Sequence, residues 1–144
     1  MPQEGPRLSP VKTFNVFGEP VEVLVSGEMT GGLSTTTTQV SPPGGGPPPH
    51  SHKNEDETFY VLEGEYELLR DGEWIKAHSG EAFHSKRGSV HTFRNAGTTI
   101  GKMLVFIAPA GMEKYLEELS AFSLPDDMPA ILALSERYGI TFTS

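Results

Sequence analysis

Four residues in this chain have types and spacing suited to holding a metal ion. His50 and His52 stand two apart in Gly44 to Gly64, GGGPPPHSHKNEDETFYVLEG, and are the only His-x-His pair in the sequence. Residues two apart on a strand share a face, with backbones about 6.6 Å apart, so both imidazoles can converge on one ion. Glu57 heads the apolar run Thr58 to Leu62, and His91 follows the turn residues Lys86-Arg87-Gly88. Three neutral imidazoles and one carboxylate suit a divalent first-row transition metal. They leave one or two coordination positions open, as a metal needs in order to take substrate or water. Glu55 and Asp56 compete with Glu57 for the carboxylate place, and the six-residue gap from Glu57 to Gly64 favours Glu57.

These residues must be positioned by strands. The sequence has 144 residues, enough for one domain with a real core. Its 16 glycines and 12 prolines punctuate short apolar runs, which predicts an all-β chain. Residues 1–10 read as a poorly ordered arm. Strands are expected at Val11 to Val16, Val21 to Val25, Leu33 to Val40 and His50 to His52, with a turn at Glu19-Pro20. His52 and Glu57 are an odd number of residues apart, so an uninterrupted strand would oppose them. The polar stretch Lys53 to Asp56 is therefore read as a bend that resets the register. Further strands are expected from Glu57, at Glu65 to Arg70 and Glu73 to Ala77 across the hairpin dipeptide Asp71-Gly72, then at Ala82 to Ser85, Val90 to Arg94 and Gly101 to Ala108. Met112, Tyr115, Leu116, Leu119 and Phe122 recur at helical spacing. A second helix is expected over Ala130 to Tyr138, with Pro129 in its first turn and Gly139 at its end. Ile140 to Ser144 reads as a tail. The whole is a barrel or sandwich, residues 11–110, with a helical segment, residues 111–144, packed on it.

Composition narrows the function classes. With no cysteine, disulfides, zinc–thiolate sites, iron–sulfur clusters and cysteine nucleophiles are excluded. A formal charge of −8 argues against nucleic acid and anionic membrane surfaces as partners. No apolar run reaches the roughly 18–20 residues of a membrane span, and the N-terminus shows no signal-peptide core, so a cytoplasmic location is expected.

The motif spacing resembles the cupin superfamily. Gly44, five residues, His50-x-His52, four residues, Glu57, six residues and Gly64 resemble its first motif. Gly80, Gly88, His91 and Asn95 in GEAFHSKRGSVHTFRN resemble the second, with fifteen residues between Gly64 and Gly80. The family has a proline where this chain has Lys86. The resemblance implies a double-stranded β-helix (jelly-roll) barrel and a metal held by His50, His52, Glu57 and His91. The metal would be one of iron, manganese, nickel, cobalt, copper or zinc. The segments GGGPPPHSH, DETFYVLEGE, HTFRNAG, APAGMEKYLEEL and ERYGI resemble small bacterial cupins called quercetin dioxygenase-like.

That likeness implies metal-dependent dioxygenation of a small enolic or phenolic molecule, with Glu57 taking the substrate proton. A non-catalytic metal-dependent binder or sensor, and a sugar or keto-acid isomerase, are the rival readings. Phe59, Phe93, Met103 and Phe106 are candidate pocket walls as well as core. His78 and the pair Glu55-Asp56 read as solvated, and His84 as a satisfied structural or surface histidine, with a pocket acid/base as the alternative. Exposed sheet edges predict a homodimer, with Val11 to Val25 as the pairing stretch.

Overall fold

A computed structural model describes residues 10–143, so most of the N-terminal arm lies outside the described residues. The strands are β1 (Lys12–Val16), β2 (Glu19–Val25), β3 (Thr35–Ser41), β4 (His50–His52), β5 (Asp56–Glu63), β6 (Glu65–Arg70), β7 (Glu73–His78), β8 (Ala82–Ser85), β9 (His91–Asn95), β10 (Gly101–Ala108) and β11 (Ile140–Phe142). The helices α1 (Met112–Leu119) and α2 (Met128–Arg137) lie between β10 and β11. One sheet runs β1-β2-β3-β10-β5-β8 and the other β11-β4-β9-β6-β7, with every pairing antiparallel. This is the all-β jelly roll with short C-terminal helices.

Alternation along the strands builds the interior. Phe59 and Val61 on β5, Tyr66 and Leu68 on β6, and Met103, Val105 and Ile107 on β10 are all buried. Two places where the chain leaves one sheet for the other frame the metal-binding candidates. The bend at Lys53 to Glu55 joins β4 in one sheet to β5 in the other. It is the register reset expected from the odd spacing of His52 and Glu57. Gly64, at φ 92°, makes the return from β5 to β6. Asp71 and Gly72 both have positive φ, as a two-residue hairpin turn between right-twisted strands requires.

Two expectations are corrected. The first turn falls at Phe17-Gly18, again with positive φ at both residues, and Glu19-Pro20 opens β2. The expected C-terminal tail is strand β11, which pairs with β4 so that Ile140 opposes His52 and Phe142 opposes His50. Three residues are too few to show alternation, and β11 exists because β4 offers it an edge. α1 buries Met112, Tyr115 and Leu119, and α2 buries Ile131 and Leu134, against the same core. No helix among the described residues is long and apolar enough to cross a membrane.

Candidate metal centre

Strand alternation turns His50 and His52 to the barrel interior, with ring centroids 4.9 Å apart. The β4–β9 ladder sets His91 directly opposite His50, ring centroids 4.7 Å apart. Glu57 arrives from the other sheet. Its Oε1 lies 2.8 Å from His91 Nε2 and 3.2 Å from His52 Nε2. One ligand atom from each of the four residues lies within 4.8 Å of the others. Two ligands on opposite sides of an ion with bonds near 2.1 Å are about 4.2 Å apart, so a small inward adjustment suffices. His52, Glu57 and His91 are buried and His50 is half-buried.

Each ring is oriented through its other nitrogen. His50 Nδ1 donates to the Pro48 carbonyl at 2.8 Å, and His91 Nδ1 lies 2.8 Å from Ser85 Oγ. His52 Nδ1 faces Glu55 Oε1 at 3.6 Å. Anchoring Nδ1 leaves Nε2 of all three rings for a cation. Glu55 is buried, not solvated as the sequence suggested. It precedes the bend's exit into β5, and the bend folds it back under His52. Asp56 accepts from Arg87 N and Nε at 2.8 and 3.0 Å, while Gly88 N donates to the His52 carbonyl at 2.8 Å. These bonds fasten the turn before β9 to both ligand strands. Asn95 is a buried pin: its Nδ2 donates to the Ser41 and Thr99 carbonyls, both at 2.9 Å.

The electrostatics fit a cation. Neither ring nitrogen of buried His52 makes an aligned hydrogen bond, and Glu55 Oε1 is likewise unpaired. Burial acts to lower the His52 pKa, but the Glu57 and Glu55 carboxylates outweigh it and lift it to about 9. Burial acts to raise Glu57, but the His52 charge and the contacts from His52 and His91 hold it well below the usual carboxylate range. Burial, with the charges of His52 and His91, lowers His50 to about 4. A buried carboxylate thus draws a proton onto His52. A divalent ion satisfies the same carboxylate and takes the place of that proton.

A cavity of about 600 Å³ opens onto His50, His52 and Glu57. Phe59 and Phe93 line it, and Phe59 packs against the His91 ring at 5.7 Å. Met103, fully buried, belongs to the core behind this wall and is not among the lining residues. Phe106 is 42 % exposed on the outer face of β10, so it does not wall the pocket. Its neighbours Val105 and Ile107 take the inner face and line the cavity. The helical segment expected to pack on the barrel roofs the cavity: Met112, Leu116 and Leu119 of α1 and Met128, Ile131 and Leu132 of α2 also line it. His84 is exposed, its Nδ1 2.9 Å from Thr58 Oγ1, and His78 is exposed beside Glu65. Lys86 is exposed in the turn and does not line the cavity.

The jelly roll gathers three histidines and a glutamate in its interior. Residues 37–107 match the family model described as the cupin domain, and this chain carries that domain. It is 31% identical over 70 residues to the quercetin 2,3-dioxygenase of Bacillus subtilis (strain 168), a match covering 49% of this chain and 20% of that protein. The chain therefore spans about a fifth of that relative's length. Among solved structures, KdgF from Halomonas sp. superimposes with a TM-score of 0.64 at 17% identity, over 72% of this chain and 90% of that one. A predicted oxalate decarboxylase from Thermotoga maritima gives 0.60 at 26% identity, over 71% and 93%. A sugar phosphate isomerase from Silicibacter pomeroyi gives 0.53 at 23% identity, over 61% and 59%.

Proposed function

We propose that this cupin is a metal-dependent dioxygenase of a small enolic or phenolic molecule. The observation that carries the reading is the buried Glu57 carboxylate, in contact with two histidines at the edge of a mostly apolar cavity. A divalent transition metal held by His50, His52, His91 and Glu57 would supply Lewis acidity to a substrate hydroxyl and a path for electrons to dioxygen. The chain supplies the rest. Glu57 is ionised and can accept the hydroxyl proton at Oε1 or Oε2. Loss of the His52 proton removes the largest hold on its basicity, while burial raises it. Phe59, Phe93 and the helical roof exclude water and fix the substrate's orientation. The match to a quercetin dioxygenase supports this class of substrate.

An isomerase acting on phosphorylated sugars is disfavoured, because no lysine or arginine among the described residues lines the cavity. The test is metal analysis of the purified protein, then oxygen uptake with flavonols and diketones, with anaerobic controls. Glu57→Gln keeps an oxygen donor but removes the base. It should keep part of the metal and lose turnover by about 10²–10⁴-fold. A variant with wild-type turnover refutes Glu57 as the base. Metal-dependent ligand binding without oxygen uptake across iron, manganese, nickel, cobalt and copper refutes the oxygenase and leaves a binding protein.

A further inference from the structure

The cavity has a second polar station, away from the histidines. Glu57 on β5 is level with Ile107 on β10 and Thr35 on β3. Gln39 lies four residues further along β3, about 13 Å at the rise of a strand. Gln39 and Glu19 line the cavity there. Glu19 Oε1 accepts from Gln39 Nε2 and from Ser41 Oγ, both at 3.1 Å. Both bonds fall on one oxygen, so Oε2 keeps its acceptor capacity. Thr37, 3% exposed, lines the cavity between the stations, level with Val105.

Thr37 apart, the wall between the two stations is apolar, built from Phe59, Val105 and Ile107 and roofed by the helices. A volume of about 600 Å³ falls in the about 300–1,000 Å³ range of sites for drug-sized ligands. Among the described residues the lining carries two carboxylates, Glu19 and Glu57, and no lysine or arginine. Phosphates and carboxylates are held by charge-assisted donors such as Arg and Lys, and the far station offers an anion instead.

We propose that the substrate is an uncharged, elongated, mostly apolar molecule bearing an acidic hydroxyl at one end and an O–H or N–H donor at the other. The acidic hydroxyl goes to the His50, His52, His91 and Glu57 centre. The distal donor is recognised by Glu19, whose carboxylate is held in place by Gln39 and Ser41. Glu19 is then a specificity residue that sits apart from the reacting atoms. This inference rests on the metal-centre reading of the same cavity.

Zinc-loaded protein, which cannot turn over by redox chemistry, separates the two. The probes are 3-hydroxyflavone and 3,4′-dihydroxyflavone, neutral enols that differ by one distal hydroxyl, with binding read by fluorescence titration. Wild type should bind the dihydroxy probe roughly tenfold or more tighter, as expected for one hydrogen bond to a charged acceptor. Glu19→Gln should shrink that ratio and Glu19→Ala should abolish it. Both variants should keep full zinc, which shows that the fold and the metal centre are intact. Glucose 6-phosphate and oxalate, as anionic competitors, should not displace either probe. Equal affinity of wild type for the two probes, a ratio that survives Glu19→Ala, or displacement by either anion overturns the proposal. Failure of both probes to bind fully zinc-loaded protein overturns the enolic substrate class as well, and absence of zinc uptake overturns the metal centre itself.

Discussion

Metal binding should displace one proton, and the structure identifies it. In the cation-free centre His52 holds a proton up to about pH 9, because the buried Glu57 and Glu55 carboxylates outweigh the cost of burying its charge. A ligand imidazole must be neutral at the nitrogen that binds the ion, so the proton leaves as the ion enters. His50, lowered to about 4, is already neutral at pH 7 and releases nothing. At pH 7, two units below about 9, apparent affinity should be about a hundredfold weaker than at alkaline pH, tenfold for each unit. Calorimetric titration of cobalt(II) at pH 7, in buffers of different ionisation enthalpy, should report release of about one proton per ion. The same shifts set the stability of the metal-free form. Between about 4 and 6.5, unfolded His50 binds a proton that the folded site refuses, so stability falls as pH drops. Between 6.5 and about 9, folded His52 keeps a proton that the unfolded chain has lost, so stability falls as pH rises. Metal-free protein should therefore melt highest near pH 6.5, and the loaded protein should not show the alkaline decline. Proton release near zero, or a pH-independent affinity between 7 and 9, would refute this account of the centre.

Glu55→Gln, which removes the carboxylate 3.6 Å from His52 Nδ1, should weaken metal affinity by about 10–100-fold with little change in the β-rich spectrum. Unchanged affinity in a chelator competition would show that Glu55 does not orient His52. Gly46→Ala places a Cβ 2.0 Å from the Phe93 carbonyl oxygen at a backbone φ of 152°. It should cost about 1–3 kcal/mol, several degrees in a thermal melt, and an unaltered melt would disprove the close approach. Among the described residues β1 ends the six-stranded sheet with an unpaired edge, and we expect a second copy to pair there as a homodimer. A monomeric mass by light scattering at micromolar concentration would count against it.

The local code was strong where physics is local. Asp71-Gly72 names its own hairpin, because such residues accept two positive φ angles in succession most readily, whereas the Phe17-Gly18 turn carried no such signal. Met112, Tyr115 and Leu119 declare a buried helical face by spacing alone. The four residues of the candidate centre were legible because strand parity, a polar bend and glycine spacing constrain each other. Side chains fixed by distant parts of the chain were not legible. GKMLVFIA is apolar except for Lys102, whose shared parity is the one local sign that Phe106 points outward while Val105 and Ile107 line the cavity. Glu55 looked like part of a solvated acidic run until the bend carried it beneath His52. Ile140 to Phe142 became a strand only because β4 had an open edge, and the helices became a roof only because they turn back over the cavity to reach it. Parity and turn chemistry act within a few residues and can be read along the chain. Burial, sheet-edge pairing and the polarity of a cavity depend on which surfaces meet, and only the folded chain decides that.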